Sequence, residues 1–264
     1  MRVIQVLSIV LAQLSIGCLL MTSLLPPREI RLSFFTFNSL VAALAAALAL
    51  VLSRMVLGQG WEDVRFLGLT VIGATVAYGC FRLEKEDIGR LFLILSGMLG
   101  LIFGLLPLSG RVLAVRGWLV NRTLLFDAGM LAGALLLGST TVGMILGHWY
   151  LIMRRPSFEH LERFTQLVMG TAGLRAFIFV VTLILLGEVE PKFASMFIPN
   201  LWSVHGDLFF MLMRILWGLL LPFFLGLFAM RCVKEKANQA ATGLLYLAEI
   251  SVVFGELFAA YLMV

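Results

Sequence analysis

Long apolar runs, broken by short polar stretches, set the pattern of this chain. Runs of mostly apolar residues occupy 3–25, 34–57, 64–81, 89–108, 123–152, 162–187, 203–230 and 239–263. Crossing a bilayer as a helix takes about 20 such residues. The apolar positions are continuous rather than alternating, which predicts helices and not the strands of a barrel. Between the runs stand helix breakers and charges: Pro26-Pro27-Arg28-Glu29, Gly58 to Asp63, Arg82 to Asp87, Ser109-Gly110-Arg111, Arg154-Arg155-Pro156 and Lys234-Glu235-Lys236. The pattern predicts an all-α integral membrane protein, a bundle of about eight transmembrane helices forming one polytopic domain over 1–264. The first run reads as a retained first helix rather than a signal peptide, because no small-residue cleavage site precedes Pro26-Pro27.

Composition strengthens the membrane reading. The 264 residues are 61% hydrophobic and only 13% charged, about half the charge of an ordinary soluble domain. The net charge of +5 carries no basic stripe interleaved with aromatics, so nucleic acid is not an expected partner, whereas membrane lipids are. Cys18, Cys80 and Cys232 are far apart and form no metal-binding spacing. With eight spans both termini lie on one side. Arg2, Arg54, Arg65, Arg111, Arg116, Arg122 and Lys192 fall on that side. They are outnumbered by Arg28, Arg31, Arg82, Lys85, Arg90, Arg154, Arg155, Arg163, Arg231, Lys234 and Lys236 on the other. The positive-inside rule then predicts a multi-pass inner (plasma) membrane protein with both termini on the non-cytoplasmic side.

Polarity divides the domain into an apolar half, 1–108, and a half carrying a candidate polar site, 123–264. Helices one to four contain few internal polar groups, chiefly Gln13 and Asn38. Helices six to eight contain Arg175, Arg214, Glu249 and Glu256. An ionisable group within a membrane helix costs at least a few kcal/mol and marks a functional site by default. Glu249 and Glu256 are seven residues apart, nearly two helical turns, so both face one way about 10 Å apart. Tyr246 shares that face, three residues before Glu249. Arg175 and Arg214 are placed at a depth comparable with Glu249. Such groups fit either proton and headgroup chemistry or an ion-pair network that sets helix registry. Pro222 is expected to kink the seventh helix beyond Arg214. Ser139, Thr140 and Thr141 are expected to bond back to their own helix, and Gly129 and Gly133 to let helices pack closely. His148-Trp149-Tyr150 reads as an interfacial belt, or as a lipid or quinone headgroup contact at His148. Only His148, His160 and His205 are present. No deep axial pair for haem is evident, with His148 and His160 the nearest approach to one, so neither haem nor metal is expected on this chain.

Three short elements resemble the membrane-anchor subunits of the DMSO reductase and polysulfide reductase (NrfD-like) family. They are Gln13 with Ile16-Gly17 in the first helix, Met213-Arg214-Ile215 in the penultimate one, and Gly255-Glu256-Leu257 in the last. Phe258-Ala259-Ala260 stand where that family carries a basic residue after the final element. The resemblance implies a haem-free bundle that exchanges electrons between a quinol and a cofactor-bearing partner, an iron–sulfur or multihaem cytochrome subunit of a respiratory oxidoreductase. The quinone, menaquinone or ubiquinone, is then the substrate. Glu256 or Glu249 would take the proton, and Arg214 or Arg175 would tune that carboxylate or bond a quinone oxygen. A proton-coupled transporter and a purely structural anchor are the competing expectations.

Overall fold

A computed structural model describes residues 2–105, 123–152, 159–187 and 206–263. It is an all-α bundle. Among the described residues there are eight helices: α1 (Arg2–Ser23), α2 (Leu32–Val51, continued by a π-helical turn, Leu52–Val56), α3 (Trp61–Arg82), α4 (Glu86–Leu99, continued by π-helical Gly100–Leu105), α5 (Thr123–Ile152), α6 (Glu159–Gly187), α7 (Gly206–Ile215, π-helical Leu216–Leu220, then Leu221–Lys234) and α8 (Asn238–Met263). All but α4 are long and apolar enough to cross a membrane within the described residues. Residues His205, Arg154 and Arg155 and the loop cations Arg111, Arg116, Arg122 and Lys192 lie outside them.

Helices α4 and α6 begin slightly before their apolar runs. Glu86 and Asp87 form the first turn of α4, and Glu159 and Glu162 that of α6. Carboxylates are favoured at a helix N-terminus, where they meet the positive end of the dipole. At Pro222 the missing N–H is accommodated by the π-helical turn Leu216–Leu220 directly before it, a usual way for a helix to absorb such a defect.

Contacts fix the helix directions. Ser8 reaches Ala49 and Ser15 reaches Ala42, so α1 and α2 are antiparallel. Gln13 meets Met130, and Gly17 meets Ala134 and Gly138, so α1 and α5 run parallel. Gly133 faces Glu256 and Thr141 faces Glu249, so α5 and α8 are antiparallel. Both chain ends therefore lie at one end of the bundle, where Val6, Val10 and Ala260 share a cluster. The span of α5 is 78% buried and that of α1 61%, against 28% for α3, α6 and α7, so α1 and α5 form the centre. A Cβ at Gly17 would collide with the α5 backbone, which is why glycine stands at that crossing.

The outside is apolar. Leu44, Ile72, Phe177 and Val180 are exposed, as expected of side chains that face lipid. Inside the bundle some polar side chains are enclosed among apolar ones. Ser15, Thr165 and the Ser139–Thr141 run are enclosed. Ser15 bonds a carbonyl of α2, and Ser139, Thr140, Thr141 and Thr165 each reach a carbonyl of their own helix.

Candidate functional site

The inner face of α8 places Glu249 and Glu256 against α5. At the end nearer the termini the arrangement is closed. Arg175, from α6, donates Nη2–H to Glu256 Oε2 at 2.7 Å and Nη1–H to the Gly129 carbonyl. Both charged side chains are almost fully enclosed, Glu256 at 2% and Arg175 at 4% exposure. Gly133 leaves the room this needs. A Cβ there would sit 2.5 Å from Glu256 Oε2 and 2.8 Å from Gln13 Nε2. Gln13, from α1, donates Nε2–H to the Met130 carbonyl at 3.2 Å, while its Oε1 is buried without a partner. Four helices thus meet around one ion pair, in which the charges neutralise each other and Arg175 also donates into backbone.

Nearer mid-depth the arrangement is open. Glu249 Oε1 lies 2.7 Å from Thr141 Oγ1, while Glu249 Oε2 is buried with no partner. Thr141 Oγ1 is also 2.7 Å from the Leu137 carbonyl. A single hydroxyl proton cannot satisfy both acceptors. With Glu249 ionised, Thr141 donates to the carboxylate and leaves Leu137. With Glu249 protonated, the carboxyl donates to Thr141, which donates to Leu137. The Thr141 hydroxyl therefore has an acceptor in either protonation state of Glu249, exchanged by rotation of that one hydroxyl, while Glu249 Oε2 stays without a partner. Cys18 of α1 is buried beside the same hydroxyl.

Arg214 is within electrostatic reach of Arg175 and Glu256 but pairs with neither carboxylate. Its guanidinium carbon lies 4.8 Å from the centre of the Phe179 ring on α6, a cation–π distance, and its Nε is buried without a partner. Among the described residues no carboxylate forms an ion pair with it. Tyr246 is turned outward, 41% exposed, with its ring edge-on to exposed His148 at 6.5 Å between centroids. His160 is engaged elsewhere, with Nε2 2.8 Å from Glu29 Oε2. The structure does not bring His148 and His160 together. Among the described residues no group of three or more His, Cys, Asp or Glu is placed to hold a metal ion.

The six predicted site residues therefore separate into an ion pair (Arg175 and Glu256), a half-partnered carboxylate (Glu249), a cation over an aromatic ring (Arg214) and an outer aromatic pair (Tyr246 and His148). Arg175 pairs at the level of Glu256, not of Glu249, because its long side chain reaches along α5 to Gly129. Gly129, Gly133 and Thr141 belong to the site although their residue types pointed to packing or back-bonding, and Gln13, expected only as an internal polar group, joins them. The available signal was the Gly129–Gly133 spacing, two small residues on one α5 face in a helix otherwise rich in leucine. No family model matches the chain, and neither the curated proteins nor the solved structures contain a match to it.

Proposed function

We propose that the chain is a quinone-interacting membrane subunit of a multi-subunit respiratory oxidoreductase, resembling the NrfD-like anchors, seated in the inner membrane with both termini non-cytoplasmic. The observation that carries this reading is Glu249. It is a carboxylate inside the bundle with one oxygen uncommitted and a hydroxyl relay on the other. Oxidising a quinol releases two protons and two electrons. Glu249 takes one proton from a quinol hydroxyl, with Thr141 turning to follow the change in charge, releases it and takes the second in the same way, while the two electrons leave to a cofactor-bearing partner subunit. Arg214, whose Nε is unsatisfied, supplies a donor for a quinone oxygen, since a buried donor without a partner costs about 1–3 kcal/mol. In this reading Arg175 and Glu256 hold the helices around that carboxylate, a role supported by their mutual saturation.

The test is quinol-dependent turnover of the complex purified from native membrane. Glu249→Gln, which keeps shape and removes the proton acceptor, is expected to lower turnover at least tenfold while the complex assembles normally. Full turnover in an assembled Glu249→Gln complex overturns the reading. Purification of the chain as a lone oligomer with proton-dependent uptake in vesicles supports a transporter instead.

A further inference from the structure

At the end of the bundle opposite the termini, an open cleft of about 420 Å³ lies between the start of α2, the end of α3 and Trp149 of α5. It shares no residue with the site above. One wall is apolar and aromatic. Phe37 and Leu40 of α2 are exposed at 43% and 39%, and Trp149 packs on Phe37 with 5.8 Å between ring centroids. Its rim carries Ser33, Arg82 and Glu84. From Leu32 to Leu40 the α2 wall extends about 12 Å along the helix axis, enough to span a lipid headgroup region and the first part of its chains.

Two features make the rim specific. Arg82 and Glu84 are both exposed, and among the described residues neither side chain makes a hydrogen bond or an ion pair. A free cation and a free anion therefore border one cleft, at the end of the bundle where tryptophan and the densest loop cations also stand. Glu84 is further held at φ 58°, in the left-handed region. The bonds Lys85 N–H to Cys80 O and Glu84 N–H to Phe81 O close the end of α3 around it. That position usually belongs to glycine, so a glutamate there is a departure from the cheapest choice of residue.

We infer that this cleft binds a phospholipid with a phosphoethanolamine headgroup. The Arg82 guanidinium takes the phosphate through paired N–H donors. The Glu84 carboxylate accepts from the primary ammonium, which carries three N–H donors. The acyl chains lie along Phe37 and Leu40. Phosphatidylcholine offers no N–H to Glu84, and phosphatidylglycerol offers no cation at all.

The experiment is native mass spectrometry of the full chain in detergent, with phosphatidylethanolamine, phosphatidylcholine and phosphatidylglycerol of identical acyl chains added in turn. Phosphatidylethanolamine is expected to be retained at least fivefold more than either alternative. Arg82→Ala is expected to lower retention of all three lipids, and Glu84→Gln to remove only the preference for the ethanolamine headgroup. Glu84→Gly is expected to remove the same preference while raising the Tm, which separates headgroup recognition from loss of fold. Equal retention of the three lipids, preference for phosphatidylglycerol, or an unchanged preference in Glu84→Gln overturns the inference.

Discussion

Glu256 and Glu249 are the same residue type on the same face of the same helix, yet their surroundings differ in kind. Glu256 is closed in by Arg175 and by Gly133 of α5. Glu249 meets a neutral hydroxyl and keeps one oxygen free. A buried pair that is fully satisfied resists change, because removing one partner leaves an uncompensated charge. A carboxylate with an uncommitted oxygen and a rotatable neighbour can change charge with little movement. Two turns of helix thus separate a fastening from a group suited to chemistry.

The largest effect that would break the contrast is expected at the pair. Arg175→Leu should destabilise the chain by about 3–5 kcal/mol, because it strands Glu256 without its cation. The double variant Arg175→Leu/Glu256→Leu should recover much of that loss, as read by thermal unfolding in detergent. If Arg175→Leu unfolds like the parent, the pair is not the fastening described here. Gly133→Ala comes next, at about 1–3 kcal/mol. Its new methyl meets a carboxylate that Arg175 holds in place, whereas Gly143→Ala, whose Cβ would lie 3.8 Å from its nearest neighbour, should be close to neutral. Glu249→Gln should leave the Tm nearly unchanged while costing the assembled complex at least tenfold in turnover, about 1.4 kcal/mol of barrier. Thr141→Val should be smaller again, about 1 kcal/mol of stability. Its diagnostic outcome is a slower proton-coupled step at an unchanged quinol KM; a raised KM alone would mean that Thr141 contacts substrate rather than Glu249.

The helices were legible in the sequence because membrane spans announce themselves by continuous apolar runs. The run 123–152 coincides with α5, and the early starts of α4 and α6 are polar first turns that no apolar run contains. The span count was legible less fully, since seven of the eight described helices are long and apolar enough to cross a membrane. The pairing of charges was not. Depth along each helix places Arg175 near Glu249, but the pairing depends on helix rotation and on a side chain long enough to reach the Gly129 carbonyl. Thr141 was hidden for a different reason. Its hydroxyl does bond back to its own helix, as expected of such residues, and only the neighbouring helix reveals a second acceptor. Gln13 was visible as a polar residue in an apolar helix, but its partner lies four helices away.

That last separation bears on how the protein is made. Gln13 is joined to Met130 across 117 residues of chain, and the parallel α1–α5 crossing at Gly17 forms only when both helices are in the bilayer. At about 5–20 residues per second of synthesis, roughly 6–23 s pass between the two. Ser15 finds its α2 acceptor early, whereas the Gln13 amide must wait, inserted but without its native partner. Helices α1–α4, each packed on the next with α1 also packed on α4, have all their mutual contacts before α5 is made, and Gln13 gains its partner only with the arrival of α5.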